Sequence, residues 1–479
     1  MRANPSPRRR ARHGWAGSGN STSRRLDPSQ GRIPAYIAIR APRIPSTPAM
    51  ILGPVSASDC LVFCILLAPQ LIWHVGLVRT TCVVLKALPF LLLQLPLDLV
   101  RHRLWLPASS TLAFARESST FEYVVSRCVR YSFKHIPPEV ARVFFFKMIC
   151  LPYLRWRMLR HGLVECPVHW YEHVHREGDT AVEGLWVRHD PNRSPDLVIY
   201  YIHGGGFSMG SSYFYLEFLM AWVHLLLDAG FENPAVFAPN YTLVPEAGYP
   251  TQLFDVVCGY DHVLQVAGDA SRVCVAGDSA GSTLALGLLL KIGAQAQESC
   301  GLGIRMDASP VRPVPLMAAL ISPWVKLKSD AHYPSEMDYL DPQTLWKYAH
   351  AYAGESMLNQ YPASPGSCTD DKLWKAAAPQ CGYIVVFGEV EVFAPDIESF
   401  ISCQARNGVD VKTLRFDGGI HAWPVASLFI SRTVDRRLQG LRYLAGQISR
   451  LAKSDAAVVS GAAKEALRLD QVDRHALAE

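Results

Sequence analysis

A serine with glycines two positions to either side, Gly277-Asp278-Ser279-Ala280-Gly281, lies between the apolar run 273–276 and the helix-forming run 282–290. That order dictates a local geometry. A strand must turn into a helix within a few residues, and the two elements approach so closely that side chains at 277 and 281 would clash. The serine then occupies a strained turn with its hydroxyl presented at the end of a sheet, where a nucleophile belongs. The pentapeptide alone is a weak signal. A strand before it and a helix after it make it a strong one.

The surrounding chain has the matching rhythm. Short β-branched runs at 185–188, 197–202, 235–237, 273–276, 316–321, 383–387 and 411–416 read as strands. Helical patterns fall near 213–228, 251–266, 281–296, 395–406 and 424–450. Alternation of this kind predicts an α/β fold with a mostly parallel central sheet covered by helices on both faces. With 479 residues, 49% of them hydrophobic, the chain can bury a large core. The expected organisation is an Arg-rich tail (1–49), a hydrophobic membrane-anchor region (50–105), a helical cap segment (106–178) and a catalytic domain (179–452) with a cap insertion at about 330–365. A polar C-terminal tail (453–479) follows, with no role assigned.

A second chemical signal is His203-Gly204-Gly205-Gly206-Phe207, directly after the run 197–202. Acyl transfer builds negative charge on a carbonyl oxygen, and a loop without side chains can turn backbone N–H groups toward it. Gly205 and Gly206, with Ala280 after the serine, are the expected oxyanion-hole donors. The loop lacks both the lysine of a phosphate-binding P-loop and dinucleotide glycine spacing.

The sequence here resembles the hormone-sensitive-lipase-type branch of the α/β hydrolases, which includes arylacetamide deacetylases and microbial esterases. The resemblance spans roughly residues 180–450. It rests on His203 to Phe207, on Asn240-Tyr241-Thr242-Leu243-Val244-Pro245-Glu246, on Gly277 to Gly281, on Ser322-Pro323-Trp324 and on the two loops that follow. The family usually has Asp-Tyr-Arg where this chain has Asn240-Tyr241-Thr242, which puts one local ion pair in question.

His421, in Gly418-Gly419-Ile420-His421-Ala422-Trp423, follows the last strand and precedes the closing helix, where an imidazole can serve the serine as general base. The acid is open on the residues alone, since Glu389, Glu391 and Asp396 all follow one strand. The resemblance selects Glu391, three residues after Gly388. The order Ser279, Glu391, His421 matches nucleophile, acid and base in this fold.

Charge is unevenly distributed. Residues 1–49 hold ten Arg and one acid, Asp27, so of the total of +5 this tail contributes +9 and the rest carries −4. The basic character therefore belongs to the tail, and no nucleic-acid surface is read from it. The tail is expected to be disordered, either as a dispensable extension before a working start at Met50 or as an organelle-targeting signal. The twelve Cys show no metal-ligand spacing and read as free thiols, in keeping with a cytosol-facing domain.

From Cys60 to Val78 there is no Asp, Glu, Lys or Arg, enough to cross a hydrocarbon core, with Pro69 and Gln70 as interruptions. Residues 87–97, with Pro89 and Pro96, are too short to span and suggest an interfacial segment. Arg79, Lys86, Arg101 and Arg103 follow the first stretch, placing the downstream domain in the cytosol, with the endoplasmic reticulum as the candidate membrane. If the tail is made, Arg40 and Arg43 compete and the orientation is open.

Together these features predict a serine esterase acting on small apolar esters, such as sterol or aryl acetates or short-chain acylglycerols, with no metal or organic cofactor. A ligand-binding protein on the same scaffold, and an amidase or acyltransferase, are the rival readings.

Overall fold

The computed structural model describes residues 51–102, 118–177, 180–300, 311–332, 334–335 and 338–476. The Arg-rich tail and Arg103 lie outside the described residues. First come α1 (Ala57–Val75), α2 (Leu77–Pro89), α3 (Leu95–Val100), α4 (Thr120–His135), the short α5 (Pro138–Ala141) and α6 (Lys147–Arg160). Then follow β1 (His169–Glu177), β2 (Thr180–Arg188), β3 (Leu197–Ile202), α7 (Ser212–Asp228), β4 (Pro234–Pro239), α8 (Thr251–Ala267), β5 (Val273–Asp278) and α9 (Ala280–Cys300). The chain continues through β6 (Met317–Ile321), α10 (Pro342–Met357), α11 (Asp371–Ala377), β7 (Tyr383–Gly388), α12 (Ala394–Arg406), β8 (Val411–Phe416), α13 (Trp423–Ile430) and α14 (Val434–Ala476).

The strands form one sheet in the order β1-β2-β4-β3-β5-β6-β7-β8. Strand β2 pairs antiparallel with β1 and β4, and every pair from β4–β3 to β7–β8 is parallel. All six residues of β3 are buried, because the pleat sends Val198, Tyr200 and Ile202 to one core and Leu197, Ile199 and Tyr201 to the other. Leu253 and Val256 of α8 and Leu284 and Leu288 of α9 fill the first core. Phe218 and Trp222 of α7 and Leu438 and Leu441 of α14 fill the second. Crossovers of this type gather the C-terminal ends of β3, β5, β6 and β7 along one edge.

The structure departs from the sequence reading in four places. Residues 169–177, assigned to the helical cap, form edge strand β1. Pro69 and Gln70 do not interrupt α1, which runs on to Gly76, where φ is 89°. Residues 87–97 are no separate segment, since α2 runs through a π turn at Phe90–Gln94 into α3 and absorbs Pro89. Helix α14 continues without a break past residue 453, where a separate tail was expected.

Candidate active site

Ser279 sits between β5 and α9 with φ 52°, a left-handed conformation unfavourable to a residue bearing Cβ. Its amide donates to Ile321 O at 3.0 Å, and its carbonyl accepts from Thr283 N and Trp324 N. The flanking glycines are required by contact. A Cβ on Gly277 would lie 2.7 Å from Ile202 O, and one on Gly281 would overlap the same carbonyl.

Asp278, buried at the end of β5, ties this turn to the glycine loop. Its Oδ1 accepts from Gly204 N at 2.9 Å and Tyr201 OH at 2.6 Å, and its Oδ2 accepts from Tyr215 OH at 2.8 Å. Gly205 and Gly206 adopt φ 111° and 61°. Their amides donate to no acceptor among the described residues, and Ala280 N opens helix α9, where the first amides lack intrahelical partners. His203 is buried, stacked on Tyr241 at 4.5 Å, with its Nδ1 2.8 Å from Gly204 O. Burial pushes its pKa down to about 4, so it braces the loop as a neutral ring.

The three candidate acids separate by environment. Glu389 is half exposed, paired with Arg415 at 3.1 Å, and accepts from Gly418 N. Asp396 faces His332 at 3.4 Å and accepts from Ser329 Oγ at 3.1 Å, with Lys326 at 3.9 Å. Glu391 is buried with Oε2 3.6 Å from His421 Nδ1. That separation is too long for a hydrogen bond, and the facing Nδ1 has no other partner among the described residues. Burial raises Glu391 to about 8, against the opposing pull of Ser322 Oγ and Gly388 N. Burial also lowers His421, against the nearby carboxylates of Asp338 and Asp278.

Two residues absent from the sequence reading of the site hold these loops in place. Ser322, just beyond β6 with φ 44°, donates to Glu391 Oε2 at 2.6 Å and accepts from Ala422 N at 2.9 Å. One hydroxyl thus joins the acid loop to the histidine loop. Asp338, fully buried in the segment between β6 and α10, accepts from His421 N and from Val392 N, each at 3.0 Å. Its pKa is raised to about 6 by burial, with His421 opposing the shift and Glu391 adding to it. The neighbouring Tyr339 donates its hydroxyl to His421 O at 2.9 Å. Arg130 of α4 reaches the carbonyls of Ser335 and Asp338, so the N-terminal cap is fastened to the same loop.

A cleft of about 360 Å³ opens beside the glycine loop. Phe133, Pro137 and Pro138 line one side and Val244, Tyr348 and Ala351 the other. The Tyr348 ring lies against Gly206, with Cγ 3.3 Å from where a Cβ would stand. The volume suits a small ligand, and the walls mix these apolar groups with the charged side chains of Lys134, Glu139, Arg142 and Lys347.

Residues 199–425 match a family model described as alpha/beta hydrolase fold. An acetyl-hydrolase of Streptomyces hygroscopicus is 34% identical over 142 residues, covering 30% of this chain and 40% of that protein. Human hormone-sensitive lipase is 29% identical over 187 residues, covering 38% of this chain and 16% of the lipase. Bovine arylacetamide deacetylase is 32% identical over 108 residues, covering 21% of this chain and 26% of that enzyme. The chain thus spans less than half the length of these relatives. Among solved structures, an esterase from the bacterial hormone-sensitive lipase family superposes with TM-score 0.51 at 20% identity, covering 70% of this chain and 98% of that one. That likeness is one of fold.

Proposed function

We propose that this chain, a hormone-sensitive-lipase-type α/β hydrolase, cleaves small apolar carboxylic esters through Ser279, His421 and Glu391. The observation that carries the reading is the arrangement around Ser322. That residue holds Glu391 3.6 Å from His421 Nδ1, on the same sheet edge as a serine strained to φ 52°. Esterases and lipases among the relatives support the reaction class.

In this mechanism Ser279 Oγ attacks the ester carbonyl carbon while His421 Nε2 takes its proton. The carbonyl oxygen becomes an oxyanion facing the amides of Gly205, Gly206 and Ala280. Collapse breaks the bond to the alcohol oxygen, which leaves with the proton from His421. Water, deprotonated by His421, then attacks the acyl-serine and releases the acid. Glu391 holds the Nδ1–H tautomer and stabilises the imidazolium, its contact with the ring tightening as the reaction proceeds.

The substrates proposed are acetyl or short acyl esters of a bulky apolar alcohol, such as sterol or aryl acetates, or short-chain acylglycerols, supported by the apolar residues Phe133, Ile136, Val244 and Ala351 in the wall of the cleft beside the glycine loop. The basic residues after α1 favour the anionic cytosolic leaflet of a membrane such as the endoplasmic reticulum. The test is hydrolysis of p-nitrophenyl esters from acetate to decanoate, with fluorophosphonate labelling, by the full chain and by Ser279→Ala. Turnover and labelling that vanish in the variant are expected. Well-folded wild-type protein that neither turns over nor labels would overturn the proposal in favour of a binding role.

A further inference from the structure

Helix α1 and the helical run from α2 through α3 are each long and apolar enough to cross a membrane. Their packing points elsewhere, because each is tied to the rest of the molecule at several points along its length. In α1, buried Asp59 accepts from Trp156 Nε1 at 3.0 Å and pairs with Arg157 at 3.2 Å and Arg160 at 2.7 Å. Further along, Phe63 packs on Tyr153 and Phe144, Leu67 shares a small core with Val143 and Ile149, and His74 sits edge-on to Phe146. The second run behaves alike. Arg79 reaches Glu139 at 3.4 Å, Lys86 O accepts from Tyr131 OH at 2.9 Å, Phe90 stacks on Tyr131 at 4.3 Å and Asp98 pairs with Arg127 at 2.7 Å. A helix crossing a bilayer cannot keep such partners unless α4 and α6, with their Arg and Lys, enter hydrocarbon too.

Among the described residues, the opposite faces are apolar and uncovered. Leu61, Ile65 and Ile72 follow one another at helical spacing on α1, and Val78, Leu85 and Leu92 on the second run. Trp73 is 85% exposed and Val78 79%. Between Asp59 and Asp98, both turned inward to arginines, the sequence holds no acid, while Arg79, Lys86 and Arg101 are exposed. An uncovered apolar face with basic and no free acidic side chains complements an anionic lipid surface. It also adjoins the cleft, since Glu139, the partner of Arg79, and the α4–α5 turn at Pro137 and Pro138 form the cleft rim.

We propose that residues 57–100 lie in the plane of an anionic phospholipid surface as a docking face, and that they bring the cleft rim to the bilayer so that membrane-dissolved ester enters from the lipid. The entry step rests on the esterase reading; the docking does not.

The test adds the full chain to preformed phosphatidylcholine vesicles with and without phosphatidylserine and follows flotation. Binding strengthened by phosphatidylserine is expected, with loss of at least about tenfold in partitioning for Trp73→Asp combined with Val78→Asp. Absence of flotation, or self-association through this face in its place, overturns the proposal. To separate docking from spanning, a fluorophore is placed at Leu61→Cys, Ile65→Cys or Ile72→Cys in protein whose exposed Cys60, Cys64 and Cys82 are serine. Quenching by lipids carrying nitroxides at shallow and deep positions then reads depth. Equal, shallow depth at the three sites is expected. A graded profile changing by roughly 10 Å between Ile65 and Ile72, as a rise of about 1.5 Å per residue gives along a crossing helix, overturns it. For entry, the double variant keeps hydrolysis of soluble p-nitrophenyl butyrate within about twofold and loses about tenfold or more on ester embedded in vesicles. Equal losses on both substrates overturn the entry step, whereas no turnover of either by wild type indicts the esterase reading and leaves the flotation result standing.

Discussion

Replacing Ser322 with alanine separates a positioning role from a merely structural one. The hydroxyl donates to Glu391 Oε2 at 2.6 Å and accepts from Ala422 N at 2.9 Å, both in buried surroundings. A hydrogen bond to a charged group contributes about 1.5–3 kcal/mol, and it acts most strongly when Glu391 is ionised opposite the imidazolium. If that difference is felt fully in the transition state, Ser322→Ala lowers kcat by roughly ten- to one-hundred-fold. The orphaned Ala422 amide removes a further ~1–3 kcal/mol of stability. Ser322 pulls the Glu391 carboxyl down against the burial that pushes it up to about 8, so its loss lets that group rise further. The activity limb governed by Glu391 ionisation therefore moves to higher pH. Ser322→Gly supplies the control, because it also lacks the hydroxyl but relieves the cost of φ 44°, about 1–2 kcal/mol. It should be more stable than the alanine variant and no more active. The assay is kcat for p-nitrophenyl butyrate from about pH 6 to 9, alongside thermal unfolding of the three proteins. An alanine variant with wild-type kcat and an unmoved pH profile, however unstable, would refute the reasoning.

The competing acids divide by substitution. Glu391→Gln is expected to reduce kcat by about a hundredfold or more, whereas Asp396→Asn, whose side chain serves His332 and Ser329, leaves kcat within about twofold; the reverse order would transfer the role. Glu391 also makes stability depend on pH. Its native pKa, near 8, is above the usual 4.5, so the folded state holds an extra proton between those values. Wild-type stability should accordingly fall as pH rises through that window, a decline that denaturant unfolding should find flattened in Glu391→Gln. For Asp338→Asn, removing a carboxylate that favours charged His421 lowers the His421 pKa further. The activity limb should shift to lower pH while kcat falls about tenfold; a drop in stability with an unmoved profile would confine Asp338 to a structural role.

How much of this was legible in the sequence depends on the range over which each constraint acts. The Ser279 turn was readable because its requirements are local: Gly277 and Gly281 are demanded by carbonyls at the end of the adjoining β3. The parallel strands were readable because burial on both faces leaves near-continuous apolar runs such as 197–202. Strand β1 was not, because an edge strand can be largely polar, and His169–Glu177 carries three His, two Glu and an Arg. Ser322 was visible as a landmark beside a proline and a tryptophan, but its task arises only when β6 lies next to β7, which brings residue 322 to residues 391 and 422. Asp338 gave no local signal at all, being 83 residues from the histidine whose amide it holds. These two residues share a consequence. The Ser279 turn is built from the sheet itself, whereas His421 is held by Ser322 from the sheet and by Asp338 and Tyr339 from the cap, which Arg130 in turn fastens to α4. Helix α4 also packs against the α2–α3 run at Tyr131 and Arg127. A continuous set of contacts therefore joins the apolar N-terminal helices to the loop carrying the proposed general base, and perturbing α4 at Arg130 should change His421 geometry before it changes the Ser279 turn.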